Sequence, residues 1–133
     1  MNPKNRVVVR YRTGRLLKGF TWDFVPSKES FHLADPEDER KVTDVRLQDL
    51  KAVFFVRSFE GDRTRRSAYA LESFQATPGI KLKVSFKDGE TLYGTTNAYA
   101  PTRKGFFLLP ADPGGNNERV YIVADSANIE QVK

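Results

Sequence analysis

The sequence predicts an all-β protein, two tandem pseudo-symmetric small barrels of five short strands each, packed together. Three observations predict it. A pattern of glycine, proline, aromatic and aliphatic residues is written twice at an unbroken offset of 75. It pairs Gly14 with Gly89, Gly19 with Gly94, Phe24 with Tyr99, Pro26 with Pro101, Phe31 with Phe106 and Leu33 with Leu108. Both copies alternate apolar and polar residues with the period of two of half-buried strands. Each copy also carries a glycine hairpin signal, Thr13-Gly14 and Asp88-Gly89. The copies span residues 6–57 and 80–133, with 58–79 as a connecting segment.

In the first copy, Val7, Val9 and Tyr11 alternate with Val8, Arg10 and Arg12, which predicts the first strand. The return strand carries Leu17 and Gly19, a glycine that marks a bend or bulge. A loop through Pro26, Ser27 and Lys28 leads to a short strand around Phe31 to Leu33. Ala34 to Lys41 is charged and turn-forming, an exposed loop. Val45 to Leu47 resumes the strand pattern, Gln48 to Leu50 has the length of one 3₁₀ turn, and Ala52 to Val56 reads as a buried strand.

The segment from Arg57 to Gly79 has no counterpart in either copy. Ser67 to Gln75 fits a short helix or an irregular strand equally, and Thr77-Pro78-Gly79 ends it. In the second copy Leu82, Val84 and Phe86 face one way and Lys83, Ser85 and Lys87 the other. Leu92 and Gly94 repeat Leu17 and Gly19. Phe106 to Leu109, Arg119 to Val123 and Ala127 to Val132 supply the remaining strands, the last with its register slipped by one, Ile129 matching Val53. A copy of about 50 residues is marginal alone, so the two are expected to pack together or to exchange a strand.

Composition narrows the classes. With 133 residues and 39% hydrophobic content the chain supports a core, and the 29% charged residues are scattered in sign. No window approaches the roughly 20 apolar residues of a membrane helix, and the N-terminal MNPKNR has no apolar signal region, so a soluble, cytoplasmic protein is expected. The absence of cysteine excludes disulfides, thiolate nucleophiles and thiolate metal sites. A net charge of +5 permits attraction to phosphates, but acidic residues sit among the basic ones nearly everywhere.

The run Val84-x-Phe86-x-Asp88-Gly89-x-x-Leu92-x-Gly94, followed by an aromatic strand, is similar to the first half of the Sm-like motif, more loosely so in the first copy. The resemblance implies SH3/Sm-like small barrels. In that family the loop after the glycine strand contacts RNA through an Asp-x-x-Met-Asn pattern. Here Tyr99 to Gly105 takes its place, so the resemblance implies the fold more than the activity. The whole chain, including the runs GFFLLPADP from Gly105 and NNERV from Asn116, also resembles a family of uncharacterised bacterial domains, members of which sometimes accompany PilZ or signalling modules. Arg6-Val7-Val8-Val9-Arg10 matches the Arg-x-x-x-Arg half of the PilZ signature for cyclic di-GMP; the Asp/Asn-x-Ser-x-x-Gly half is absent.

Candidate binding residues follow from charge. Arg6 and Arg10 suit a bidentate grip on phosphate and guanine, or are simply strand-flanking arginines. Arg57, Arg63, Arg65 and Arg66 form the densest basic cluster, a site for an acidic partner or a solvated loop. The matched loop cations Lys28, Arg103 and Lys104 form a second anion site if the copies are related by a pseudo-twofold, or are simply solubilising loop charges. Trp22 alternates with Phe20 and Phe24, as core or as an exposed aromatic contact. His32 is the only histidine and has no evident catalytic partner, and no carboxylate pair or metal-ligand spacing stands out. The expectation is a non-enzymatic binding module of a bacterial regulatory system without cofactor or metal. Its partner is expected to be a protein, and a homo-oligomer is compatible. The alternative is a receptor for an anionic ligand, a cyclic dinucleotide or RNA.

Overall fold

The computed structural model describes residues 4–60, 74, 78–97, 99, 103–112 and 115–132. Its strands are β1 (Asn5–Tyr11), β2 (Leu16–Thr21), β3 (Ser30–Ala34), β4 (Val42–Arg46) and β5 (Leu50–Val56) in the first copy. The second copy supplies β6 (Ile80–Phe86), β7 (Thr91–Thr96), β8 (Gly105–Pro110), β9 (Asn117–Val123) and β10 (Ala127–Gln131). A 3₁₀ turn precedes the last strand of each copy, at Leu47–Asp49 and at Ala124–Ser126, the second of which the sequence pattern did not reveal. The hairpin glycines behave alike, Gly14 at φ 97° and Gly89 at φ 95°, in the left-handed region that favours glycine.

All-β architecture is therefore observed, with five strands per copy, but the expected pair of separate closed barrels is not what the strands build. They form one ten-stranded antiparallel sheet, ordered β10-β6-β7-β8-β9-β5-β1-β2-β3-β4, which does not close on itself. Each copy contributes the same internal order: last strand, first, second, third, fourth. The copies are joined head to tail where β9, the fourth strand of the second, pairs with β5, the fifth strand of the first. Ala52 lies opposite Ile122, Val53 opposite Tyr121 and Phe54 opposite Val120.

That junction puts β5 in the middle of the molecule, and all seven of its residues are buried. Strand alternation sends Ala52, Phe54 and Val56 into one core with Val84, Phe106 and Ile122 of the second copy. Val53 and Phe55 enter the other core with Val9 and Phe31 of the first copy and Tyr121 and Val123 of the second. Each core thus draws on both copies, which resolves the marginal size of either alone. Phe24 anchors the second core, its ring edge-to-face with Phe31 at 5.1 Å and with Tyr121 at 5.4 Å.

Candidate functional site: a cationic cleft at the junction of the copies

The junction leaves a cleft of about 250 Å³ on one side. Its walls come from five segments, three of the first copy and two of the second, each set fastened together by hydrogen bonds. The β2–β3 loop turns through Lys28 N–H to Val25 C=O at 3.0 Å, and Leu47 N–H donates to Glu29 C=O at 2.9 Å, tying the 3₁₀ turn to that loop. Arg12 is held against the same turn: its N–H donates to Asp49 C=O at 3.0 Å and its Nε to Leu50 C=O at 3.2 Å. From the second copy, Ala124 N–H donates to Lys104 C=O at 2.9 Å.

This scaffold presents the side chains of Arg12, Lys28, Arg46 and Lys104 to the cleft, with Glu29 and Asp125 as its carboxylates. None of the four cations makes an ion pair among the described residues. At the floor, Tyr121 is only 4% exposed. Its ring packs on Phe24 and on Phe107 at 5.2 Å, while its hydroxyl makes no hydrogen bond among the described residues. Burial pushes that hydroxyl above the ordinary tyrosine range, and the charge of Arg103 pulls it part of the way back. Gly105 is required beside it: a Cβ there would lie 2.4 Å from the Tyr121 hydroxyl oxygen.

Of the residues singled out in the sequence, Lys28 and Lys104 meet at this cleft, and Arg103 acts on its floor. The arginines do not join them. Arg6 donates from Nη1 to the Arg57 carbonyl at 2.7 Å, and Arg57 donates to the Gly115 carbonyl. Arg6 lines a different cavity with Lys4, Phe20 and Arg119. Arg10 sits over the Phe54 ring at 5.6 Å, and its charge reaches Asp88. Arg63, Arg65 and Arg66 lie outside the described residues. Trp22 is 39% exposed beside Lys4, whereas Phe24 is core, so the aromatic alternation divides between the two readings.

The sequence reading missed Arg12, Arg46 and Tyr121. A usable signal existed for the arginines, since both flank the loops that the repeat aligns; Tyr121 reads as one more apolar strand position. His32 does face a carboxylate: its Nδ1 lies 2.6 Å from Asp23 Oδ2, and Asp23 Oδ1 accepts its backbone N–H at 2.9 Å. The hydrogen bond to Asp23 raises the imidazole above its usual range. The pair stands on the surface and lines neither cavity. Among the described residues no group of three or more acidic or histidine side chains is placed to hold a metal ion, and no helix is long and apolar enough to cross a membrane.

No curated protein and no solved structure matches the chain. A family model described as a family of unknown function, DUF6982, matches residues 3–133. With the match running over nearly the whole tandem repeat and its cleft, the chain belongs to the DUF6982 family.

Proposed function

We propose that the chain is a non-enzymatic binding module that captures an anionic group in the cleft between its two copies. The observation that carries this reading is the convergence of Arg12, Lys28, Arg46 and Lys104, from separate segments and without ion-pair partners among the described residues, around the hydroxyl of a buried tyrosine. Cations held apart by a rigid frame repel one another, and a bound anion relieves that repulsion while gaining charge-assisted hydrogen bonds. The reading places the anion site at the junction, where the side chains of Lys28, Arg46 and Lys104 make no hydrogen bond among the described residues, whereas Arg6 and Arg57 donate to backbone carbonyls. A role in a regulatory system, and the SH3/Sm-like character of each copy, belong to the same proposal. The Sm-like motif and the repeated strand order support the latter.

Calorimetric titration with inorganic phosphate at low and moderate salt tests it. Saturable binding that weakens with salt is expected, reduced about tenfold or more when Lys28 and Lys104 are both changed to Ala. Binding untouched by that double substitution would place the site elsewhere, and no binding at all would end the anion reading.

A further inference from the structure

We infer that the ligand of the cleft is a small organic phosphate, one phosphoryl group on a compact and partly apolar body, and not the backbone of a polymer. This rests on the anion reading above and names the class of anion. Three features of the cleft carry it. The hydroxyl of Tyr121 is the polar tip of a side chain more than nine-tenths buried, it borders the cleft, and it meets no partner among the described residues. The hydroxyl is not sealed off, since no buried side-chain polar atom among the described residues lacks a partner, so it stands open to donate to an acceptor entering from the cleft. A phosphoryl oxygen is such an acceptor, and the other oxygens of a tetrahedral dianion reach cations placed on several sides at once, as Lys28, Arg46 and Lys104 are.

Size and sign distribution argue against a strand passing through. At about 250 Å³ the space falls just under the roughly 300 Å³ at which drug-sized pockets begin, room for a sugar phosphate or a single nucleotide. The carboxylates of Glu29 and Asp125 stand among the same walls, so four cations and two carboxylates leave a net +2 there, the charge of one phosphoryl dianion and not of several phosphates. The remaining lining mixes the apolar Pro26, Leu47 and Val123, which give the uncharged body of the ligand a surface to cover, with the polar Ser27 and Gln48.

The experiment is calorimetry of the intact chain against glycerol 3-phosphate, glucose 6-phosphate, adenosine 5′-monophosphate, inorganic phosphate and a ten-nucleotide single-stranded RNA. At least one monoester is expected to bind one to one and more tightly than inorganic phosphate. Tyr121→Phe keeps the ring packing and is expected to weaken that monoester about tenfold, as the loss of one hydrogen bond to a charged group would. The thermal midpoint of the free variant, measured alongside, stays close to that of the parent. If no monoester exceeds inorganic phosphate, or if Tyr121→Phe binds as the parent does, the inference is overturned. If the RNA binds most tightly, with dependence on Lys28 and Lys104 and a salt slope of several phosphates, the small-ligand inference fails while the anion reading stands. If no anion responds to Lys28 and Lys104, both fail together.

Discussion

Lys51 shows how one residue can fasten the two copies. It occupies an extra position in β5, between Leu50 opposite Tyr11 and Ala52 opposite Arg10, where the register shifts. The bulge turns its side chain, only 7% exposed, toward the β6–β7 hairpin of the other copy. There Nζ lies 2.7 Å from Asp88 Oδ2, bonds Glu90 Oε1 and stands 4.4 Å over the Phe86 ring. The ammonium, with help from the Glu90 N–H, holds the Asp88 carboxyl below its ordinary 3.8. A carboxylate that is more acidic when folded contributes stability above pH 3.8, and that contribution is lost as pH falls through the lowered value. In Lys51→Met, which keeps the apolar stem, urea midpoints at pH 7 and pH 3 are expected to lie closer together than in the parent. Parallel shifts in the two proteins would mean that the bond to Asp88 contributes nothing in solution.

Among elements, the corner between β7 and β8 is the most demanding. These strands share only two pairs, Gly94 with Pro110 and Thr95 with Leu109, and β2 and β3 share only Phe20 with Ala34. The sheet bends so sharply there that a Cβ on Gly94 would lie 2.3 Å from the Leu109 carbonyl oxygen, and one on Gly19 would lie 2.4 Å from that of Ala34. The strand glycines are therefore required by close approach of a neighbouring backbone, and the bend expected from sequence has this steric cause. Gly94→Val is expected to destabilise by more than about 1 kcal/mol, read as a fall in the thermal midpoint. An unmoved midpoint would show that β8 can withdraw at little cost.

At the scale of the molecule, the head-to-tail junction raises the question of why it stops after two copies. The outermost strands are β4 and β10, the same fourth and fifth strands that pair internally as β9 and β5. Register makes the positions equivalent: Val45 lies opposite Phe31 as Ile122 lies opposite Phe106, and Ile129 lies opposite Val84 as Val53 lies opposite Val9. Asp44 and Arg46 then stand where the junction has Tyr121 and Val123, and Asn128 and Glu130 stand where it has Ala52 and Phe54. The free edges are polar on the faces that the junction buries, and charged edges resist further strand pairing. The parent chain is expected to sediment as a monomer. The combined variant Asp44→Tyr, Arg46→Val, Asn128→Ala and Glu130→Phe is expected to associate with rising concentration. A folded variant that stays monomeric would show that edge polarity is not what ends the array.

The sequence by itself determined the repeat, the hairpins, the ten strands and the glycines at both corners, because each is a local matter of turn conformation or of alternation along one strand. It also marked Lys28 and Lys104 as matched loop cations. Tertiary structure decided which strands became neighbours. The runs AVFFV of β5 and RVYIV of β9 read as ordinary buried strands, and nothing in either says that it will pair with the other. That pairing joined the two copies into one open sheet, gave each core residues from both copies, and brought Arg12, Arg46 and Tyr121 to the two lysines. Alternation fixes the side of a strand on which a side chain points, whereas a site needs side chains from distant segments at one place. Only the burial of apolar surface over the whole chain selects that arrangement.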